Sequence, residues 1–223
     1  MQMHYIVRPM QMDDIPQVNA VDREAFPSQW PPPPFKRDLN SKLVRYLVAL
    51  EETDDSLRPA EPTAYQAKGG LQRSISKIMS LFSKGHSSSD GKAAQNKHNV
   101  IGYAAIWLMV DEAHLTSIAV KETHRRHGIG ELLLVSMVDL AIRLKAQVVT
   151  LETRVSNVSA QALYEKYGFS ITGMRRGYYS DDGEDAVVMT TESIFSPQYQ
   201  ARFQELRRIC LERCAPAEDI QLV

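Results

Sequence analysis

The stretch VKETHRRHGIGELLL, residues 120–134, limits the possible folds more than any other part of the chain. Ahead of it, His114 to Val120 reads as a strand. Behind it, Ile129, Leu132, Leu133, Met137, Leu140, Ala141 and Leu144 recur at helical spacing, so Gly128 to Lys145 is predicted to be a helix with a core-facing stripe. A strand that passes into a helix through Gly128 and Gly130 belongs to an α/β arrangement. The two glycines leave the backbone bare, and the helix start offers unpaired N–H groups and a positive dipole end. That combination suits a phosphate. Two familiar phosphate loops nevertheless fail. A Walker loop needs Gly-Lys-Ser/Thr, whereas Gly130 is followed by Glu131; a dinucleotide fingerprint needs a third glycine where Leu133 stands. On these residues alone, a plain strand-to-helix turn with solvated charges fits as well as a phosphate site.

The flanking segments build a mixed sheet. His4 to Arg8 reads as a first strand, and Asp13 can cap a helix running through Phe26, with Ile15, Val18, Val21 and Ala25 near helical spacing. Pro27 to Pro34 contains five prolines, which exclude helix and central strand, and it carries one large aromatic, Trp30. A short helix over Phe35 to Leu43 and a strand over Arg45 to Leu50 follow. Val100 to Met109 and His114 to Val120 read as adjacent strands with Asp111-Glu112 at the turn. Val148 to Thr153 is a buried strand. Val158 to Tyr167 is a helix that Ser156 or Asn157 can cap and Gly168 can end. Two strands, Phe169 to Tyr178 and Asp185 to Thr190, flank the acidic turn over 180–184, and Pro197 to Cys214 forms a polar C-terminal helix. The expected order, β-α-α-β-β-β-α-β-α-β-β, is a mixed α/β sheet flanked by helices.

Residues 52–98 differ in character. They begin acidic and become rich in Ser, Gly, Lys and Gln, which predicts a flexible low-complexity insert rather than a second core. Within it, Leu71, Ile75, Ile78, Met79 and Phe82 share one helical face; a transient helix in a disordered insert is the favoured reading, and a contact for a membrane or a partner the alternative.

At 223 residues the chain fits one domain, and 43% apolar residues can fill its core. The net charge of −1 argues against bulk nucleic-acid affinity. The longest apolar run, Val100 to Val110, is too short to span a bilayer, and MQMHYIVRP has no signal-peptide pattern. Cys210 and Cys214, four apart on a helix, suit a disulfide poorly and are expected as reduced thiols, as in a cytoplasmic protein. No Cys/His set has zinc spacing, so no metal is expected.

Chemistry can sit at few places. Glu152 interrupts the apolar strand QVVTLET, where a carboxylate is costly unless solvated, paired or used. Burial would raise its pKa toward neutrality and suit it to general-base work; pairing with Arg154 is the structural alternative. Tyr164 lies two turns after Asn157 on the same helical face, and its phenol can donate a proton, although packing alone would also explain it. Asn157 can be simply a cap, and Tyr178 and Tyr179 simply hairpin aromatics.

Taken together, the motifs resemble one family. RRHGIG, residues 125–130, fits the Q/R-x-x-G-x-G/A acetyl-CoA loop of the GNAT N-acetyltransferases, and the likeness continues through LTSIAV, LETRVSNVSAQALYEKYGF and RRGYYSDDGEDAVVM. These are similar to the RimI type, bacterial enzymes that acetylate the N-terminal alanine of a small-subunit ribosomal protein. The likeness covers about residues 3–50 and 99–194; the 52–98 insert and the helical extension over 196–223 depart from it, leaving a GNAT domain over 1–195. The resemblance implies acetyl-CoA as co-substrate, with Arg125, Arg126, His127, Gly128, Ile129 and Gly130 around the pyrophosphate. It places Ile118, Ala119 and Val120 along the pantetheine arm, with an N–H near Val120 polarising the thioester, and Asn157 on the pantetheine side. It makes Glu152 the base, acting through water, and Tyr164 the acid for the departing thiolate. Trp30, Tyr178 and Tyr179 are the candidate substrate contacts. A protein α-amino group, with a reference pKa of about 7.7 to 8.0 against about 10.4 for lysine, is within reach of a weak carboxylate base. A GNAT enzyme acting on lysine or a small amine, and a non-catalytic acyl-CoA-sensing or ribosome-interaction module, remain open alternatives.

Overall fold

The computed structural model describes residues 5–28, 32–51 and 99–214. Trp30 and the apolar face over 71–82 lie outside them. The described elements are β1 (Tyr5–Pro9), α1 (Ile15–Ala25), α2 (Phe35–Asp38), β2 (Val44–Glu51), β3 (Asn99–Met109), β4 (Glu112–Val120), α3 (Ile129–Arg143), β5 (Val148–Arg154), α4 (Val158–Lys166), β6 (Phe169–Arg175), β7 (Ala186–Thr191) and α5 (Pro197–Cys214). The seven strands form one sheet in the order β1-β2-β3-β4-β5-β7-β6. Every neighbouring pair is antiparallel except β4 and β5, which are joined through α3 and run parallel. β2 and β3, which flank residues 52–98, are hydrogen-bonded neighbours.

Both faces of the sheet are covered, which is why the central strands are apolar on successive residues. Alternation along β2 sends Leu47 and Ala49 to one core and Tyr46, Val48 and Leu50 to the other. The first core lies under α3 and α5, the second under α1 and Phe35 of α2. α3 is buried almost all round, at Leu132, Leu133, Leu134, Val135, Met137 and Val138, because the sheet covers one side and α5 packs against another. The polar C-terminal helix of the sequence reading therefore hides an apolar face: Tyr199, Phe203, Cys210 and Cys214 recur near helical spacing and are buried in the first core. Both cysteines are free thiols, as their spacing predicts.

Several boundaries differ from expectation, each for a local reason. Asp14, not Asp13, organises the entry to α1: its carboxylate accepts the Gln11 N–H at 2.8 Å and pairs with Arg8 at 2.7 Å. α2 stops at Asp38 rather than Leu43, and Asp38 accepts the Tyr46 hydroxyl at 3.0 Å as the chain turns toward β2. β6 stops at Arg175 rather than Tyr178, where Gly177, at φ +58°, turns the chain out of the sheet.

Candidate active site

The sheet opens where its one parallel seam ends. β4 and β5 pair only from Glu112/Val148 to Leu115/Leu151. At the next residue of β4 the register with β3 shifts: Ile106 faces Leu115 and Ala105 faces Ser117, so Thr116 is the extra residue of a bulge. A bulge bends and twists its strand, and here it carries β4 away from β5. From Ser117 to Val120, β4 keeps its ladder to β3 while its other edge is open. The gap is a cavity of about 650 Å³, walled by β4 from His114 to Val120 and by β5 from Leu151 to Arg154, with Asn157, Tyr164, Tyr178 and Tyr179 at its margins. Ile118, Ala119, Val120 and Arg125 also line it.

Glu152 points into this cavity and is only 5% exposed. Its Oε2 lies 2.5 Å from His114 Nε2 on β4. Its Oε1 lies 2.8 Å from Arg175 Nη2 but has no aligned hydrogen-bond donor. The alternative pairing with Arg154 does not occur. Arg154, two residues on and on the same face of β5, is taken instead by the acidic turn: it reaches Asp181 at 2.7 Å, Asp182 at 2.8 Å and Glu184 at 2.9 Å and stacks over the Tyr179 ring at 3.9 Å. Arg154 thus folds the acidic turn back over the cavity mouth, and Ser28 from the loop after α1 donates to Asp181 at 2.7 Å from the facing side.

Tyr164 enters from α4 with its ring against Phe169. Burial first, and then the nearby Tyr179, push its phenol up to about 12, so it stays protonated through the neutral range. Asn157 caps α4, accepting the Ala160 N–H at 3.2 Å, and also faces the cavity. Tyr178 and Tyr179 pack edge to face on each other beside it. His114, Arg175 and Ser28 are contributors that sequence reasoning missed. A histidine opening an apolar strand was the one available signal; its pairing with a residue 38 positions away was not visible.

At the glycine loop, Arg126 and Gly128 both adopt left-handed backbone, at φ +67° and +85°. Leu132 N–H bonds to Gly128 C=O, so the N–H groups ahead of it at the start of α3 have no partner within the helix. Arg125 donates to Val120 C=O at 3.3 Å and Arg126 to Ser159 Oγ at 3.2 Å, tying the loop to β4 and α4. The two glycines have different duties. A Cβ on Gly128 would stand 2.8 Å from Cys214 Sγ of α5, whereas one on Gly130 would meet Val120 at an ordinary 3.9 Å. Gly128 is therefore required by α5 and by its own left-handed backbone, whatever the loop binds. Among the described residues there is no cluster able to hold a metal ion, and no helix is long and apolar enough to cross a membrane.

Comparison with known proteins identifies the family. The acetyltransferase (GNAT) family model matches residues 15–169. A putative [ribosomal protein bS18]-alanine N-acetyltransferase of Bacillus subtilis is 30% identical over 82% of this chain and 92% of its own length. An N-alpha-acetyltransferase of Saccharolobus solfataricus is 31% identical over 83% of this chain and 91% of its own. The crystal structure of the ribosomal-protein-S18-alanine N-acetyltransferase from Escherichia coli has the same fold, with a TM-score of 0.58 at 22% identity, covering 84% of this chain and 92% of that one. With the family model spanning most of the sheet, the opened β4–β5 seam and the glycine loop, the chain belongs to the acetyltransferase (GNAT) family.

Proposed function

We propose that this enzyme transfers the acetyl group of acetyl-CoA to the N-terminal α-amino group of a protein. The substrate favoured is a ribosomal protein with an N-terminal alanine, as the name of the Bacillus subtilis relative has it, while the Saccharolobus solfataricus relative's name gives the α-amino group alone; the proposed place of reaction is the cytoplasm. The observation that carries the reading is Glu152 Oε1, a buried carboxylate oxygen that Arg175 approaches at 2.8 Å without an aligned hydrogen bond, facing a cavity that also receives the protonated phenol of Tyr164. An ammonium group, or a water passing on its proton, satisfies that oxygen.

The chain's residues fit acetyl-CoA. The N–H groups at the start of α3, with Arg125, Arg126 and His127 beside them, suit the pyrophosphate; Gly128, Ile129 and Gly130 form the turn. The open edge of Ile118, Ala119 and Val120 suits the amides of the pantetheine arm, with Asn157 on the facing side. When bound, acetyl-CoA supplies an acyl thioester. Glu152, held by His114, accepts the proton of the substrate's α-ammonium group through water. Backbone N–H near Val120 stabilises negative charge on the thioester oxygen, and Tyr164 protonates the departing thiolate. No nucleophilic side chain is needed. Tyr178, Tyr179 and the Arg154-held turn border the entrance for the peptide, and Trp30, outside the described residues, is a further candidate contact on sequence grounds.

The test is acetylation of peptides beginning with Ala, Ser, Met and Gly, with the modified atom mapped by mass spectrometry. Acetyl groups on the α-nitrogen, with alanine preferred, support the reading. Modification confined to lysine side chains or small amines overturns it. Binding of acetyl-CoA without turnover on any amine marks a sensing module instead.

A further inference from the structure

A carboxylate stands where a diphosphate-binding helix would least tolerate one. Glu131 is the third residue of α3, one step after Gly130, within the first turn whose free N–H groups the proposed function assigns to acetyl-CoA. An unpaired negative charge there would repel a phosphate and cancel part of the helix's positive end. Glu131 is instead enclosed. Its side chain is 11% exposed; Lys166 Nζ at the end of α4 approaches at 2.6 Å, the Tyr167 hydroxyl donates at 2.7 Å, and Arg213 of α5 pairs with the other oxygen. Burial alone would raise its pKa, but these donors outweigh burial and hold the carboxyl at about 2.

Arg213 reaches this position because α5 is fastened along its length. Arg207 pairs with Asp139 of α3 at 2.5 Å, and Arg202 donates to the carbonyls of Glu165 and Lys166 at 2.9 and 2.6 Å. Phe203 and Cys210 are buried in the core, and Cys214 sits against the space over Gly128. Arg213 itself lies 3.3 Å from that same space, between Glu131 and the loop. The C-terminal helix thus delivers a cation to the back of the loop at a point where the domain itself has placed an anion.

We propose that Arg213 is a positioning residue for acetyl-CoA: by pairing with the Glu131 oxygen that Lys166 and Tyr167 do not reach, it completes the neutralisation of that carboxylate and lets the start of α3 accept a diphosphate, so that the C-terminal helix sets co-substrate affinity. This rests on acetyl-CoA occupying the 125–130 loop. Arg213 acts through Glu131, and its removal leaves the acid–base pair of Glu152 and Tyr164 untouched.

The test is a double-mutant cycle read by calorimetry with acetyl-CoA and by steady-state kinetics with a peptide, on the full-length chain. Arg213→Ala is expected to weaken acetyl-CoA binding roughly 2- to 30-fold, the range for residues that couple to a site through a packed network, with kcat at saturating acetyl-CoA unchanged. Arg213→Lys restores most of the affinity. The loss shrinks as salt rises, since the pair is partly exposed. Glu131→Gln binds at least as tightly as wild type, and in that background Arg213→Ala has no further effect. An equal loss in both backgrounds overturns the proposal in favour of direct contact with the ligand, and unchanged affinity in a folded Arg213→Ala protein overturns it outright. Arg126→Ala keeps the two ideas apart. If it binds acetyl-CoA as wild type does, the loop assignment fails; if it binds weakly while Arg213→Ala binds normally, only the role of Arg213 fails.

Discussion

Glu152 Oε2 and His114 Nε2 meet at 2.5 Å from two strands that run parallel and then part, and the contact lies beside the point of parting. The strands hold the two side chains, while the bulge at Thr116 leaves room for a ligand beyond them. Glu152→Gln keeps the shape and removes the base, and we expect turnover to fall roughly 10²–10⁴-fold. His114→Phe leaves the carboxylate intact but held by Arg175 alone, and a loss of up to ~10²-fold is expected from misplacement. Both should bind acetyl-CoA nearly as wild type does. Steady-state kinetics beside calorimetry decides; turnover within a fewfold of wild type for both would make the pair a packing feature.

Tyr164→Phe is expected to cost turnover on a similar scale, again with little change in acetyl-CoA affinity. Because the phenol is held at about 12, its acid form persists well into the alkaline range. An alkaline fall in kcat centred near neutral pH in wild type, absent from Tyr164→Phe, would contradict this environment.

The two loop glycines should separate in stability measurements. Gly128→Ala forces a left-handed residue to carry a Cβ against Cys214, and we expect a loss of at least ~1–2 kcal/mol. Gly130→Ala meets only Val120 at ordinary distance and should melt close to wild type. Any effect of Gly130→Ala on acetyl-CoA binding is then read without a folding artefact. Equal melting of the two variants would refute the division of roles.

Arg154 holds three carboxylates together in the turn over the cavity mouth. The Asp181 and Glu184 carboxyls are both held below the usual carboxylate range, first by their hydrogen bonds to Arg154. With folded pKa values depressed, the order this contact gives the turn is present above about pH 4 and is lost as pH falls through the folded values. Arg154→Ala should raise both pKa values in carboxyl NMR titrations and raise the peptide KM more than it lowers kcat. Unmoved titrations would show that the turn holds without its cation.

Inside the second core, the Tyr103 hydroxyl donates to the buried Asp22 carboxylate of α1. Burial raises the Asp22 pKa, against the lowering effect of Tyr103. Its contribution to stability is therefore full below the unfolded value, about 3.9, and is lost as pH rises through the folded one. Tyr103→Phe leaves a buried carboxylate unpartnered and should cost about 1–3 kcal/mol, while Asp22→Asn, which keeps an acceptor and sheds the charge, should cost less. Denaturant titration at neutral pH ranks the two; the opposite order would mean that the charge itself is needed.

Local pattern alone determined a good deal. The periodicity of Ile129 to Leu144, the glycine loop ahead of it and the capping of α4 by Asn157 were all legible, because each depends on residues within a turn or two of one another. Glu152 was legible as an anomaly, since a carboxylate in an apolar strand needs a reason. What it pairs with was not. Arg154 was nearer in sequence and shares Glu152's face of β5, yet the acidic turn over 180–184 takes its guanidinium, and it was the β4–β5 and β5–β7–β6 pairings that brought His114 and Arg175 to Glu152. The opening of the seam likewise depends on one extra residue at Thr116, whose meaning exists only against the register of β3. The apolar face of α5 was masked by its many charges, and the pairing of Arg213 with Glu131, 82 residues apart, was set by how α5 docks on α3 and by no feature of either segment. Short-range spacing fixes elements because the backbone fixes it; long-range contacts follow from packing, which chooses among many partners that a sequence leaves equally open.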